Sequence, residues 1–217
     1  MQIRACPLGR GVRQVILPRR RKTAPIVGGP VGSAILERRP TPWTSVELRL
    51  DRSVLRPWRP GDETSLVLHA NNRHVWRTLR DLFPHPYTAE DAEDWVRQAG
   101  TLATTTQFAI EVEGVAVGGI GFSLGDDVYR RSAEVGFWLG EAYWGRGIVT
   151  EALIAVTDYA FERFDICRLH AQVFQSNPAS MRVFEKAGYT LEGRMRFAVT
   201  KDGRTMDQLV YAIVRET

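Results

Sequence analysis

Apolar and polar residues alternate through Val46, Leu48 and Leu50, the period of a strand with one buried face. Leu55-Arg-Pro-Trp-Arg-Pro extends that strand until Pro60 stops it. Asp62 then stands where a helix cap belongs, ahead of Leu66, Leu68 and Ala70. Residues 75–82 read as a short helix ended by Phe83-Pro84, and Thr88 with Asp91 opens another helix through Trp95 and Val96 with a capping pattern. Two β-rich runs, 108–112 and 115–122, flank Glu113-Gly114, a hairpin turn, and 133–139 is a further strand. The best helix runs from Ile148 to about Phe164, with Ala152, Ala155, Val156, Tyr159 and Ala160 at helical spacing. A strand over 168–174, a helix over 178–187 closed by Gly188, and strands over 189–199 and 208–214 joined through Asp202-Gly203 complete the series. Strands that outnumber well-placed helices in this order predict an α/β (α+β) domain around a mostly antiparallel sheet.

Charge changes the picture at one end only. Residues 1–45 hold nine Lys/Arg and one acidic residue; of the 29 basic and 25 acidic residues in the chain, that leaves 20 against 24 for 46–217. The basic character belongs to a Pro- and Gly-rich N-terminal extension that reads as a disordered tail. An Arg-rich organelle transit segment is the alternative, with the prolines and glycines against it. The domain itself is expected to span 46–217. Its mild acidity argues against an extended nucleic-acid surface. No apolar run approaches the length of a membrane span. The two cysteines, Cys6 and Cys167, and the four histidines show no disulfide or metal-ligand spacing, so no metal is expected and a reducing, cytoplasmic setting is the default.

The candidate chemistry gathers around residues 134–151. A strand runs into Gly145-Arg146-Gly147, and the turn opens directly into the helix at Ile148. Glycines there let backbone approach a ligand, and the first-turn N–H groups and helix dipole favour an anion. No Lys-Ser/Thr pair follows as in a P-loop, and Thr150 stands where a dinucleotide fold would place its third glycine. Nucleotide hydrolysis and dinucleotide binding are therefore disfavoured, and another phosphate-bearing cofactor is left.

Three segments carry a family resemblance: Ala133-Glu-Val-Gly-Phe-Trp-Leu, Tyr143-Trp-Gly-Arg-Gly-Ile-Val-Thr-Glu-Ala-Leu, and Asn177-Pro-Ala-Ser-Met-Arg-Val-Phe-Glu-Lys-Ala-Gly-Tyr. In their order and spacing they resemble the GNAT superfamily of acetyl-CoA-dependent N-acetyltransferases, within it the branch of the ribosomal-protein N-terminal acetyltransferases. Leu55-Arg-Pro-Trp and Phe83-Pro-His-Pro-Tyr-Thr are similar to that branch too, so the resemblance covers nearly all of 46–215.

The resemblance implies a mixed, mostly antiparallel sheet whose splayed central strand pair binds the cofactor. It implies that the pyrophosphate of acetyl-CoA lies on the backbone of Ala142, Trp144, Gly145, Arg146, Gly147 and Ile148, and that Phe137, Trp138 and Leu139 line the pantetheine arm. The side chains of Phe137 and Leu139 read equally well as core. Ala142 departs from the Gln or Arg usual in the family, and Arg146 reads either as a phosphate contact or as an exposed arginine. Asn177 is implied as a cofactor contact and fits a helix cap as well.

Two catalytic residues are implied. Glu134 is the base that removes a proton from the attacking amine, with a salt-bridged strand-end carboxylate as the structural alternative. Ser180 stands in as thiolate donor for the tyrosine usual in this helix, whose place Phe184 holds. Among Trp58, Trp76, Phe83, His85 and Tyr87, an acceptor pocket and a core both remain open. The acceptor implied is a protein N-terminal α-amine, with a small-molecule amine (polyamine, amino acid or drug) or a non-catalytic acyl-CoA-binding module as alternatives. A monomer or a homodimer is expected.

Overall fold

The computed structural model describes residues 46–102 and 104–216. The readings made of 1–45 lie outside them. The chain lays down β1 (Leu48–Arg49), β2 (Val54–Pro57), α1 (Glu63–Ala70), α2 (Arg73–Trp76), α3 (Ala89–Gly100), β3 (Gln107–Val112), β4 (Val115–Leu124), β5 (Ser132–Leu139), α4 (Ile148–Arg163), β6 (Arg168–Phe174), α5 (Pro178–Lys186), β7 (Thr190–Lys201) and β8 (Arg204–Val214). The strands form one sheet in the order β1-β2-β3-β4-β5-β6-β8-β7. Every neighbouring pair is antiparallel except β5 and β6.

That parallel pair places the site. β5 meets β6 only at Ser132↔Arg168, Ala133↔Leu169 and Glu134↔His170. Beyond it β5 stays on β4 as far as Leu139, and β6 stays on β8 as far as Phe174. The two halves of the sheet therefore part after Glu134, and one edge of residues 135–139 is left without a strand partner. Unpaired strand edges carry N–H and C=O groups that seek partners.

Helices cover both faces. Val135, Phe137 and Leu139 of β5 pack with Ile148, Ala152, Leu153, Val156 and Tyr159 of α4 and with Phe184 of α5. Trp138 points the other way, into a second core with Trp58, Leu66, Tyr87 and Val96 under α1 and α3. Strand alternation puts Glu134 and Gly136 on the Trp138 face.

Several local readings hold because their cause is local. Thr88 and Asp91 form a reciprocal capping box. Glu113-Gly114 and Asp202-Gly203 both take left-handed conformations, as two-residue hairpin turns require. The zipping of that second turn starts β8 at Arg204, four residues before the expected Gln208.

Other readings need correction. β2 does not continue β1 but folds back antiparallel to it, Leu48 facing Leu55. Asp62 sits at the cap position of α1 without a side-chain cap bond. Its carboxylate instead takes the buried Arg56 guanidinium through two bonds of 2.8 Å and the Arg59 N–H at 2.9 Å. Charge-assisted pairing to a buried cation outweighs one helix N–H. Leu68 is 72% exposed, so it does not belong to the buried face. The helix expected over 75–82 is the single turn of α2, capped by Asn72, and the chain turns after Trp76. Glu111 of β3 is half-buried and paired with Arg56 and Arg59.

Candidate active site

The glycine turn has the geometry that a phosphate needs. Gly145 (φ +75°) and Gly147 (φ +80°) are both left-handed, and Gly147 caps α4 with no side chain in the way. The first intrahelical bond to reach back is Glu151 N–H to Gly147 O at 3.2 Å, which leaves the N–H groups of residues 148–150 without an intrahelical acceptor. The turn that presents these donors is tied to the end of β5 through Trp144, so turn and strand edge lie close together in the fold. Ala142, Trp144, Gly145 and Arg146 are exposed along this turn, whereas the Ile148 side chain is core, so only its backbone is available.

Side chains around the turn are largely engaged in shaping it. The Trp144 indole N–H donates to Leu139 O at 2.7 Å, tying the turn to the end of β5. Arg146 folds back onto Ala142 O at 2.7 Å and over the Tyr143 ring. Arg52 supplies a second cation: its Nε lies 3.7 Å from the point where a Gly147 Cβ would stand. Glu151, in the first turn of α4, accepts from the backbone of Asp51 (2.8 Å) and Arg52 (3.3 Å) and pins the β1–β2 turn beside α4. Arg52 carries no motif, and its place depends on a contact about 100 residues away in sequence.

Asn177 caps α5, accepting from Ser180 N–H at 3.1 Å, and its amide donates to Ser180 Oγ at 2.9 Å. With that bond received, the Ser180 hydroxyl proton remains to be donated. Phe184 is buried between Phe137 (ring centroids 5.3 Å), Tyr189 (5.2 Å) and Tyr211 (5.8 Å). Neither tyrosine replaces it as an acid. Burial pushes the Tyr189 phenol up to about 12, and its hydroxyl is bonded to Thr157 at 2.8 Å. The Tyr211 hydroxyl donates to Glu185 at 3.1 Å.

Glu134 stands on the opposite face of β5, where the strands part. It ion-pairs with Arg80, whose guanidinium also donates to Gln172 Oε1 of β6 at 3.3 Å. The strand-end salt bridge is thus present, across the seam. His170, its register partner, is pushed below the ordinary imidazole range by burial, with Glu134 opposing. Gly136, next along this face, opens onto free space: a Cβ there would meet nothing within 4 Å. Of the aromatic set, Trp58 and Tyr87 are core. Trp76 and His85 form a stack with centroids 5.5 Å apart.

Sequence reasoning missed Gly118, Arg52 and Arg80. Gly118 of β4 lies so close to β5 that a Cβ would stand 2.5 Å from Trp138 O. The run Gly118-Gly119-Ile-Gly121 was the available signal, since glycine inside a strand marks close approach.

Known proteins are similar to this chain in sequence and in fold. The family model described as an acetyltransferase (GNAT) domain matches residues 52–190. The Bacillus subtilis protein named Probable N-acetyltransferase YjcK is 43% identical over 84 residues, a match that covers 39% of the chain and 46% of that relative. The ribosomal-protein-serine acetyltransferase of Escherichia coli is 30% identical over 105 residues (48% of the chain, 58% of the relative). The spermidine N(1)-acetyltransferase of the same organism is 27% identical over 142 residues (65% and 74%). A solved ribosomal L7/L12 α-N-protein acetyltransferase in complex with coenzyme A superposes with a TM-score of 0.66 at 23% identity, covering 76% of this chain and 95% of that one.

Proposed function

The chain belongs to the GNAT family of acetyltransferases, and from that premise we propose that it moves the acetyl group of acetyl-CoA to the α-amine of a protein N-terminus. The observation that carries the cofactor half is the open edge of β5 running into the left-handed Gly147 and the uncapped first turn of α4. These residues fit acetyl-CoA: backbone donors for the pyrophosphate and an unpaired strand edge for the amide-bearing pantetheine arm. Phe137, Trp138 and Leu139 contribute that edge, Trp144 and Arg146 shape the turn, and Asn177 holds Ser180 beside the arm.

The chemistry follows from the two faces of β5. An α-amine with a pKa near 8 is mostly protonated at neutral pH, and only its neutral form attacks a thioester. Glu134 takes the proton, directly or through water. The amine nitrogen then attacks the acetyl carbonyl carbon, and a backbone N–H of β5 stabilises the oxyanion. The C–S bond breaks as the amide forms, the nitrogen's second proton leaves to water, and Ser180 hydrogen-bonds to the departing thiolate from the α5 side.

The N-terminal acceptor is favoured by the ribosomal-protein-serine acetyltransferase relative. A polyamine is the second reading, because the spermidine acetyltransferase relative matches a longer part of the chain. The test is CoA thiol release from acetyl-CoA with a panel of N-terminal peptides and with spermidine. Peptide-dependent release that Glu134→Gln abolishes while acetyl-CoA affinity stays unchanged is the expected result. Thiol release that no amine stimulates overturns turnover and leaves an acyl-CoA-binding module. Unchanged acetyl-CoA affinity in Gly147→Trp overturns the cofactor site.

A further inference from the structure

Residues 73–81, α2 and the turns after it, form a strap laid across the opening between β5 and β6. Its contacts reach both halves of the sheet. Arg80 pairs with Glu134 on β5 and donates to Gln172 on β6. Asp81 accepts from Lys201 Nζ, at the end of β7, at 2.6 Å, and Arg73 pairs with Asp202 in the β7–β8 turn at 2.7 Å. The Lys201 ammonium stands 3.4 Å from the centre of the Trp76 ring, and its side chain is only 3% exposed. The buried Lys201 ammonium thus meets a carboxylate and an aromatic face of the strap together. The strap therefore holds the Arg80 guanidinium over the Glu134 carboxylate, beside the open space at Gly136.

An acceptor amine that reaches Glu134 arrives as a cation on a carboxylate already taken by one. We infer that Arg80 sets the acceptor class: the incoming ammonium replaces it at Glu134, and the displaced guanidinium, still tethered nearby, favours an acceptor with a carbonyl oxygen next to its amine and disfavours one with a second ammonium. This rests on the N-terminal acceptor proposed above. A peptide N-terminus carries its first carbonyl one carbon beyond the α-amine, within reach of the arginine N–H fork. A polyamine offers no acceptor oxygen and brings further positive charge. The Arg80 guanidinium displaced from Glu134 is itself positive, and like charges at short range repel. Two neighbours of this pair add no full positive charge: Gln172 is neutral, and burial disfavours the charged form of His170.

The test compares wild type, Arg80→Ala and Arg80→Lys for kcat/KM on an N-terminal peptide and on spermidine, with acetyl-CoA affinity and Tm measured alongside. The expected result is a peptide-to-spermidine ratio that falls at least about tenfold in Arg80→Ala, through both a slower peptide and a faster spermidine reaction. Arg80→Lys keeps the charge without the fork, so its spermidine rate stays low while its peptide rate drops. Equal losses on both acceptors, with the ratio unchanged, overturn the role of Arg80 and leave the N-terminal reading standing. A wild-type preference for spermidine overturns that reading, and this inference with it.

Discussion

Gly118→Ala is the sharpest probe of how the cofactor strand is placed. Gly118 of β4 faces Leu139, the last residue of β5. A Cβ at position 118 would lie 2.5 Å from Trp138 O, 2.9 Å from Leu139 Cδ1 and 3.0 Å from Leu139 Cα. Two of these are backbone atoms of β5, so no side-chain rotation relieves them. Restoring the shortest contact to 3.0 Å moves the end of β5 by about 0.5 Å, the difference between 3.0 and 2.5. Overpacking of this kind costs about 1–3 kcal/mol of stability. The displaced segment is the one assigned to the acetyl and pantetheine groups. A misplacement of about 1 Å there costs about a hundredfold in rate, so half of it should cost on the order of tenfold in kcat/KM for acetyl-CoA. Urea denaturation and steady-state thiol release read the two effects, with Gly193→Ala as control because a Cβ there meets nothing within 4 Å. A Gly118→Ala protein with wild-type stability and wild-type kcat/KM would refute the claim that this glycine sets the position of β5.

Three further outcomes are expected. Asp62→Ala leaves the 4%-exposed Arg56 without its main partner and should lower unfolding free energy by about 3–5 kcal/mol. Arg56→Met combined with Asp62→Leu should recover most of that loss in the same denaturation assay, and a mild single variant would contradict the buried pairing. Ser180→Ala should reduce kcat about a hundredfold, the lower end for proton donation, with Asn177 still capping α5 and acetyl-CoA affinity nearly unchanged. An undiminished kcat removes Ser180 from the reaction. Stability should also fall as pH drops from 7.5 to 5.5. Burial holds His69 and His170 below their ordinary value near 6.5, so the unfolded chain binds more protons in that window; their contribution is complete above about 6.5 and is lost below it. A urea midpoint that stays level or rises over this range would contradict the burial of these imidazoles.

Much of the fold was legible because its causes lie within a few residues. The Thr88–Asp91 box, the Glu113-Gly114 and Asp202-Gly203 turns, and the strand–glycine–helix passage at 139–148 each follow from short-range sterics and hydrogen bonding. Where the same rules met a partner from another element they failed. Asp62 looks like a helix cap until Arg56 folds under it, and Glu111 looks solvated until β3 pairs with β2.

The chain by itself determined the turn proposed to hold the cofactor, since two left-handed glycines and an uncapped helix start are properties of local backbone. It also determined the cap and hydroxyl of α5, Asn177 and Ser180, three residues apart. Only the tertiary structure decided what confronts the acceptor. Arg80 reaches Glu134 across 54 residues of sequence and Lys201 reaches Asp81 across 120. The physical reason is the parting of β5 from β6. It brings side chains from opposite halves of the sheet to one seam, and charges that meet only after folding leave no periodic trace in the sequence.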